Sequence, residues 1–241
     1  MMTVSVRKVF VTGGTSGIGA AIARSFAADG AHVTAVGATA AEVQAARLVP
    51  EMVGIDLHAL DVRDDSAVAS FVVGLGELDA VVNCAGVIRR GEEHSPDVFA
   101  DVVDINLTGT MRVCAASRAG LKARRGCIVN TASMLSFFGG GLVPAYSASK
   151  GGIAQLTKSL AIAYAADGIR VNAVAPGWIA TSLTQALQDD PSRSAQIIAR
   201  TPLGRWGTPD EIAGPVLFLA SPAAQFITGV VLPIDGGYLI T

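Results

Sequence analysis

Cysteine is scarce in this sequence: the 241 residues include three, Cys84, Cys114 and Cys127. An odd number without a C-x-x-C pair excludes a framework of disulfides and a cysteine-based metal site. The three residues are instead typical of small, buried hydrophobic side chains in a reducing compartment. We therefore expect the protein to work in the cytoplasm.

Neither a strong charge of one sign nor a long apolar run is present. The formal net charge is −2, and the largest basic cluster, Lys122 with Arg124 and Arg125, falls in a predicted loop. This pattern excludes the basic footprint of a nucleic-acid-binding protein. Gly, Pro or charge interrupts every apolar stretch before it reaches membrane length, and no basic and then apolar leader opens the chain, so we expect neither a membrane partner nor a signal peptide. A small molecule remains the expected partner.

The residues that are abundant favour a large α/β domain. The sequence is 51% hydrophobic and 16% charged, with 27 glycines, which allows a large core joined by tight turns. Strand-like and helix-like segments alternate from end to end, and this predicts right-handed βαβ units and a parallel, doubly wound sheet. We expect a single Rossmann domain over residues 1–241, with helices on both faces of seven strands at 8–12, 32–36, 54–60, 79–83, 126–131, 170–175 and 230–234.

A glycine-rich turn follows the first predicted strand and precedes a helical pattern at 20–28. Its sequence is GGTSGIG, residues 13–19. Glycines let a backbone approach a pyrophosphate closely, and the helix N-terminus offers free N–H groups and the positive end of a dipole. The turn therefore predicts a dinucleotide site, with contacts from Gly13, Thr15, Ser16, Gly17, Ile18 and Gly19.

The end of the second predicted strand bears on the choice of dinucleotide. An acidic side chain there binds the adenosine ribose of NAD, whereas a basic one accepts the 2′-phosphate of NADP. This sequence has Gly37, followed by Ala38 and Thr39, and so offers neither group. NAD and NADP both stay open, with Gly37 as a contact. We favour NAD because nothing basic awaits the phosphate.

Tyr146 and Lys150 lie four residues apart at the start of a segment with apolar residues at helical spacing. They should therefore share one face of a helix. A neighbouring ammonium lowers the pKa of a tyrosine toward the range that suits proton transfer with a carbonyl or alcohol oxygen. Ser133, just after the fifth predicted strand, is placed to hydrogen-bond the same oxygen. The three residues predict an acid–base site, although Tyr-x-x-x-Lys alone also occurs on solvated helices.

Two further segments lie near the expected cofactor edge of the sheet. Arg89 and Arg90 follow the fourth predicted strand and are either solvated loop charges or ligands for a substrate carboxylate, which guanidinium groups match in shape. Residues 178–205 are the least periodic in the chain, and a long irregular segment in a compact domain is usually functional. We predict that it forms a lid over the active site, with Trp178 among the substrate contacts.

Together, the motifs resemble those of the short-chain dehydrogenase/reductase family along essentially the whole chain. Several motifs in the right order are far more specific than any one of them. One departure is Asn83-Cys84, where the family commonly has two asparagines. The resemblance is carried by TGGTSGIG at 12–19, Asp61-Val62, NCAG at 83–86, Asn106, Ser133, YSASK at 146–150, and Pro176-Gly177 with Thr181.

The resemblance implies an NAD(P)-dependent oxidoreductase that interconverts an alcohol and a ketone without a metal. Tyr146 would be the acid–base group, and Lys150 would lower its pKa and contact the nicotinamide ribose. Ser133 would orient the substrate oxygen, and Asn106 would hold a relay water. A homotetramer is implied as well, with helices at 96–121 and 146–166 pairing between subunits and the C-terminal strand at another interface. The implied cofactor contacts beyond the glycine-rich turn are Asp61, Val62, Asn83, Ala85, Gly86, Tyr146, Lys150, Pro176, Gly177, Ile179 and Thr181.

A narrower resemblance is carried by NCAGVIRR, ASMLSFFGG with VPAYSASKGG, APGWIAT, RTPLGRWGTPDEIAG and the DGGYL ending. These segments are similar to the branch that includes gluconate 5-dehydrogenases and 2-dehydro-3-deoxy-D-gluconate 5-dehydrogenases. That branch acts on keto sugar acids, which would give Arg89 or Arg90 a carboxylate to bind. Two alternatives stay open. One is a 3-oxoacyl-acyl-carrier-protein reductase, which would favour NADPH and a basic docking patch. The other is a non-catalytic, nucleotide-binding regulator on the same fold.

Overall fold

Seven parallel strands form one sheet in a computed structural model that describes residues 6–241. Their order across the sheet is β3-β2-β1-β4-β5-β6-β7, which confirms the predicted doubly wound α/β fold. Each strand begins and ends within about two residues of the predicted bounds. The strands are β1 (Lys8–Thr12), β2 (His32–Gly37), β3 (Asp56–Ala59), β4 (Ala80–Asn83), β5 (Cys127–Thr131), β6 (Arg170–Pro176) and β7 (Val231–Ile234).

Nine α-helices connect or follow these strands within residues 6–241. A π-helical segment, Asp104–Thr108, joins α4 to α5, so the single helix that the sequence predicts over 96–121 is interrupted around Asn106. No helix in this part of the chain is both long enough and apolar enough to cross a bilayer. The helices are α1 (Gly17–Ala28), α2 (Ala40–Arg47), α3 (Asp65–Gly74), α4 (Pro96–Val103), α5 (Gly109–Arg124), α6 (Pro144–Tyr164), α7 (Gln185–Gln188), α8 (Pro191–Arg200) and α9 (Pro209–Ala220).

Helices cover both faces of the sheet and bury its strands from both sides. On one face α1, α2 and α9 contribute buried residues such as Phe26 and Leu219. On the other face α3, α5 and α6 contribute Val72, Leu121 and Leu160. Burying one side chain of this size stabilises the fold by about 2 kcal/mol. The two packed faces therefore hold the strand ends, and the loops that follow them, in fixed positions.

The order of the strands reverses at β1, whose neighbours are β2 and β4. Ligands of open α/β sheets bind at such a reversal, in the crevice outside the carboxyl ends of the strands. Thr12 ends β1 at this point, and its Oγ1 accepts hydrogen bonds of 3.2 Å from the N–H groups of Cys84 and Ala85. These hydrogen bonds hold the loops after β1 and β4 next to each other at the carboxyl edge of the sheet.

Residues 178–205 are more regular than the sequence predicts, and the expectation of an irregular segment is wrong. They contain a 3-10 turn at Ser182–Thr184, followed by α7 and α8. The Asp190 side chain caps α8 by accepting from the N–H groups of Ser192 and Arg193, and Pro191 takes the first helical position. This Asp-Pro start signal is present in the sequence, but the helix behind it is short, and Ile197 is its one buried residue.

Candidate active site

A cavity of about 600 Å³ opens along the carboxyl ends of the central strands. Most of the residues predicted for the site line it, although they come from widely separated segments of the chain. Three of the predicted residues, Asn83, Asn106 and Arg89, lie outside its lining. The predicted residues that line it are Gly13, Thr15, Ser16, Gly17, Ile18, Gly19, Gly37, Asp61, Val62, Ala85, Gly86, Arg90, Ser133, Tyr146, Lys150, Pro176, Gly177, Trp178, Ile179 and Thr181.

The glycine-rich turn has the shape that a pyrophosphate requires. Gly13 has φ +62°, and a Cβ on it would lie 2.7 Å from the backbone nitrogen of Ala85. A Cβ on Gly19 would collide with the carbonyl oxygen of Gly13. The N-cap residue of α1, Ser16, makes no side-chain hydrogen bond to the helix, so the first N–H groups of α1 stay available to an anion. These residues fit a dinucleotide cofactor.

An acidic side chain that sequence reasoning missed lies at the end of β2. A Cβ on Gly37 would lie 2.9 Å from Oε2 of Glu42, and the same oxygen accepts a 2.8 Å hydrogen bond from the N–H of Ala38. Glu42 lies in the first turn of α2 and lines the cavity. Its carboxylate thus lies where a side chain at position 37 would project. The sequence signal was Thr39-x-x-Glu42, a spacing typical of a helix start.

Ser133, Tyr146 and Lys150 come together at the other end of the cavity. Tyr146 and Lys150 lie in the first two turns of α6, and Ser133 follows β5. The Lys150 ammonium nitrogen lies 5.5 Å from the centre of the Tyr146 ring. It also donates a 2.6 Å hydrogen bond to the carbonyl oxygen of Thr131. The predicted clustering of the three side chains is therefore present.

The ionisation of this group differs from the expectation that Lys150 lowers the pKa of Tyr146. Burial raises the pKa of Tyr146; a hydrogen bond with Ser133 opposes this rise, and the charge of Glu93 adds to it. Burial also lowers the pKa of Lys150 to about 8. A lowered pKa means that Lys150 gives up its charge at a lower pH than an ordinary lysine, and a neutral amine does not stabilise a phenolate by charge. In this structure the loss of solvent is the largest influence on the pKa of both groups.

Asn106 lies in the π-helical segment and organises the backbone around the site. Its Oδ1 accepts a 2.8 Å hydrogen bond from the N–H of Val87, and its Nδ2 donates to the carbonyl oxygen of Val87 at 3.0 Å. Nδ2 also donates to Oγ of Ser149 at 3.2 Å. Asn106 therefore fixes the loop after β4 against α6. Its relay water stays a prediction.

Asn83 does not lie where a direct cofactor contact was predicted. Its Nδ2 donates a 2.9 Å hydrogen bond to Oδ1 of Asn130, which in turn donates through Nδ2 to Oγ1 of Thr157 at 3.0 Å. All three residues are buried. Because side chains alternate along a strand, the last residue of β4 faces the core between the sheet and α6. The neighbouring Cys84 lines the cavity instead, and burial raises the pKa of its thiol to about 11.

The two adjacent arginines have different surroundings. Arg89 is half-exposed and lies 4.0 Å from a carboxylate oxygen of Asp101 on α4. Arg90 lines the cavity, and its guanidinium makes no ion pair or hydrogen bond within residues 6–241. The structure therefore separates two residues that the sequence could not distinguish, and it leaves Arg90 as the candidate for an acidic substrate.

Aromatic side chains form part of the wall of the cavity that Arg90 and Tyr146 also line. Trp178 lines the cavity and packs edge-on against Trp206 and Tyr238, with ring centres 5.8 and 6.2 Å apart. Phe138 lies 6.3 Å from Tyr238 and also lines the cavity. Such a wall excludes water and leaves the few polar groups to orient a ligand.

The fold and the cavity define an α/β enzyme class that binds a dinucleotide at the switch point of the sheet. A short-chain dehydrogenase model described as "Enoyl-(Acyl carrier protein) reductase" matches residues 13–239. The 2-dehydro-3-deoxy-D-gluconate 5-dehydrogenase of Bacillus subtilis (strain 168) is 40% identical over 240 residues, 97% of this chain and 94% of the relative. The 3-oxoacyl-[acyl-carrier-protein] reductase of Escherichia coli (strain K12) is 38% identical over 236 residues, 94% of this chain and 95% of the relative.

A solved structure extends these similarities to three dimensions. The gluconate 5-dehydrogenase of Burkholderia cenocepacia J2315, in complex with NADP and tartrate, matches with a TM-score of 0.90 at 34% identity, over 98% of this chain and 96% of that one. The chain belongs to the short-chain dehydrogenase/reductase family, whose dehydrogenases act on CH–OH groups with NAD or NADP. The family resemblance of the motifs is confirmed.

Proposed function

We propose that this enzyme interconverts a secondary alcohol and a ketone by hydride transfer and that its substrate is a keto sugar acid. One observation carries the proposal: Tyr146, Ser133 and Arg90 line the same cavity as the glycine-rich turn. A single small ligand would there meet a proton donor, a hydroxyl that orients an oxygen, and a cation for a carboxylate.

The chain's own residues account for the proton transfer. When bound, the nicotinamide supplies the hydride in reduction and accepts it in oxidation. Tyr146 gives its phenolic proton to the carbonyl oxygen in reduction and takes a proton from the hydroxyl in oxidation. Burial raises the pKa of Tyr146, which keeps the phenol protonated, as reduction requires. Lys150, whose pKa is about 8, restores that proton.

The acidic substrate is supported by Arg90 and by the relatives. A guanidinium without an ion-pair partner, placed beside a cavity, matches a carboxylate geometrically. The Bacillus subtilis relative is a dehydrogenase of a sugar acid derivative, and the Burkholderia cenocepacia structure contains tartrate, a hydroxy dicarboxylate. Both point to a small ligand with hydroxyl and carboxylate groups.

A 3-oxoacyl-acyl-carrier-protein reductase is the second candidate, because that relative is nearly as similar. An acidic carrier protein would need a basic surface on which to dock. The basic residues at the end of α5 are neutralised instead: Arg118 and Lys122 each lie 2.7 Å from a carboxylate oxygen of Asp167, and Arg124 lies 2.8 Å from Glu77. This pairing favours the small-molecule substrate.

We propose that NAD(H) is preferred over NADP(H), with Glu42 as the determining residue. Its carboxylate lies at the end of β2, next to Gly37. A 2′-phosphate placed there would meet a like charge, whereas ribose hydroxyls would meet a hydrogen-bond acceptor. The proposal runs against the NADP found in the Burkholderia cenocepacia structure, and so the preference needs a direct measurement.

We also propose a cytoplasmic homotetramer. The helices expected to pair between subunits expose apolar side chains, among them Phe99 on α4, Met111 on α5 and Ile162 on α6, the last 81% exposed. Groups of exposed apolar side chains mark association surfaces. Sedimentation equilibrium of the purified protein should give four times the chain mass, and a monomer at micromolar concentration would exclude the assembly.

Residues 178–205 are proposed to act as a lid. Ser182, Leu183 and Thr184, in the 3-10 turn at Ser182–Thr184, line the cavity, so that a change in this segment would open or close access to it. Cofactor and substrate together should protect the segment from limited proteolysis. Equal cleavage rates with and without ligands would contradict this role.

The substrate class is tested with a small panel. Purified protein is assayed with NADH or NADPH against keto-deoxy sugar acids, neutral keto sugars and an acetoacetyl thioester, and with NAD⁺ against gluconate. Turnover confined to the sugar acids is the expected result. Turnover confined to the thioester would replace the proposed function with that of an acyl-carrier reductase.

A further inference from the structure

Glu93 is a fully buried acid that the proposed reaction does not use. It is 1% exposed, and no Lys, Arg or His within residues 6–241 forms an ion pair with it. A buried charge is costly unless hydrogen bonds compensate it. The compensation comes from two backbone groups: the N–H of Arg89 donates to Oε1 and the N–H of Tyr146 donates to Oε2, each at 2.8 Å.

The two donors belong to the two sides of the active site. Arg89 lies in the loop after β4, next to Arg90 in the cavity lining. Tyr146 is the third residue of α6. The Glu93 carboxylate thus links two segments. One is the loop that carries Arg90, the candidate partner of a substrate carboxylate, and the other is α6, which carries Tyr146, the candidate proton donor.

The start of α6 has no other cap. The first N–H groups of a helix lack partners within the helix. Val143, at the N-cap position, makes no side-chain hydrogen bond, and Pro144 has no N–H to offer. Glu93, 53 residues earlier in the chain, therefore caps α6 at Tyr146 itself. A negative charge at this end of a helix is also favoured by the helix dipole.

We propose that Glu93 is a positioning residue, whose carboxylate holds the backbone of Tyr146 and the Arg89–Arg90 loop at a fixed separation. The proposal rests on the proposed acid–base function of Tyr146. Glu93 does not contact the reacting atoms; it determines where the phenol stands relative to the group that holds the substrate. Loss of either hydrogen bond would loosen the start of α6 relative to the Arg89–Arg90 loop. Asn106 would still join Val87 to Ser149, one turn further along α6.

Glu93 also acts on Tyr146 through its charge. Two titratable groups act at Tyr146: Lys150 on α6, whose ammonium lies 5.5 Å from the ring centre, and Glu93 from the segment after β4. Arg90 and Cys84 line the same cavity. Of these, Glu93 carries the negative charge, and this charge raises the pKa of Tyr146. Neutralising it should therefore move the acid limb of alcohol oxidation, which follows deprotonation of Tyr146, to lower pH. A cap that is only structural would not move that limb.

The test compares Glu93→Gln with Glu92→Gln. Glu92 is the adjacent, exposed acid, so its variant removes the same charge from the same loop without touching either donor. Gln at position 93 keeps the size but accepts from only one of the two N–H groups through its amide oxygen. Hydrogen exchange at the Tyr146 and Arg89 amides is followed, together with kcat, cofactor binding and the pH profile on whichever alcohol the wild type oxidises.

Glu93→Gln should exchange at least one of these amides about tenfold faster and lose about tenfold in kcat. Its cofactor binding should stay within threefold of the wild type, and its acid limb should lie at lower pH; Glu92→Gln should match the wild type. Protected amides and unchanged kcat in Glu93→Gln would overturn the proposal, as would reduced kcat with an unshifted limb.

A third variant covers the case in which Glu93→Gln does not fold. Glu93→Asp keeps the charge but is one methylene shorter. It should retain the wild-type pH profile at a reduced kcat, and a shifted profile would overturn the proposal. Hydrogen exchange requires no substrate, so failure of the positioning role is distinguishable from failure of the proposed reaction, which Tyr146→Phe tests separately.

Discussion

The two ends of the cavity are shaped by different means. At the proposed cofactor end, formed by residues 13–19 and Gly37, the backbone itself makes the surface, and a Cβ at Gly13 or Gly19 would collide with other backbone atoms. At the proposed substrate end, side chains from distant segments make the surface: Arg90 follows β4, Ser133 follows β5, and Trp178 follows β6. The difference shows why enzymes of one fold share a cofactor more readily than a substrate.

The largest effect is expected at the substrate end, from Tyr146→Phe. The variant removes the proton donor and keeps the ring, so kcat should fall about 1,000-fold or more. Cofactor binding at the other end should remain nearly unchanged. Stopped-flow fluorescence of NADH binding and steady-state turnover measure the two separately. Retained turnover would exclude Tyr146 as the acid–base group, and a joint loss of binding would show that the two ends are not independent.

Arg90→Ala should raise the KM for acidic substrates by about 30-fold, since a hydrogen-bonded contact to a charged group contributes about 2 kcal/mol. Neutral ketones should lose little. Arg89→Ala is the matched control, because Arg89 faces Asp101 outside the cavity, and its KM should change less than about twofold. Equal effects of the two substitutions on acidic substrates would remove the distinction that the structure draws between these neighbours.

Lys150→Met should change the pH dependence of stability. Burial lowers the pKa of Lys150 from 10.5 to about 8. Below pH 8 the native state therefore bears the full cost of a buried charge, and this cost is relieved as the pH rises. The wild type should gain about 2 kcal/mol in unfolding free energy relative to the variant between pH 7 and pH 9.5. Urea unfolding of both proteins measures the gap, and a constant gap would show that Lys150 does not titrate there.

The smallest effect is expected at the cofactor end, from Glu42→Gln. The amide oxygen can still accept from the N–H of Ala38, but the negative charge next to Gly37, which would repel a 2′-phosphate there, is gone. The ratio of kcat/KM for NADPH to that for NADH should rise about tenfold, or about 1.4 kcal/mol. Glu51→Gln, an exposed acid outside the cavity lining, is the control. An unchanged ratio would show that Glu42 does not determine the preference between NADH and NADPH.

The glycine-rich turn at the cofactor end could be predicted from the sequence, because sterics allow only glycine at some of its positions. Gly13 and Gly19 are examples: a glycine at either position already indicates that other backbone atoms lie too close for a Cβ. Glu42 was not predicted as a site residue, because its carboxylate reaches back from α2 to the end of β2, five residues earlier. The position of this carboxylate depends on the Glu42 rotamer and on where α2 begins. Neither can be read from the residue at position 37.

The substrate end could be predicted only in outline. Alternation of apolar segments predicts the strands, and hence that Arg89, Arg90 and Ser133 lie at one edge of the sheet. It does not predict which arginine lines the cavity, because the loop after β4 has no regular periodicity. The burial of Asn83 and the capping by Glu93 likewise depend on packing between segments far apart in sequence. The balance between burial and charge that sets the pKa of Tyr146 depends on the same packing.

The π-helical segment at Asp104–Thr108 has a geometric consequence for the whole layer. A π-helical turn corresponds to one inserted residue in an α-helix, and one residue is about 100° of rotation. The segment therefore rotates the buried face of the continuous helix about its axis. The buried face of α4 contacts α6, whereas the buried face of α5, the next helix along the chain, contacts α3. Deleting one residue here would restore an unbroken helix and turn one of those two surfaces away from its neighbour.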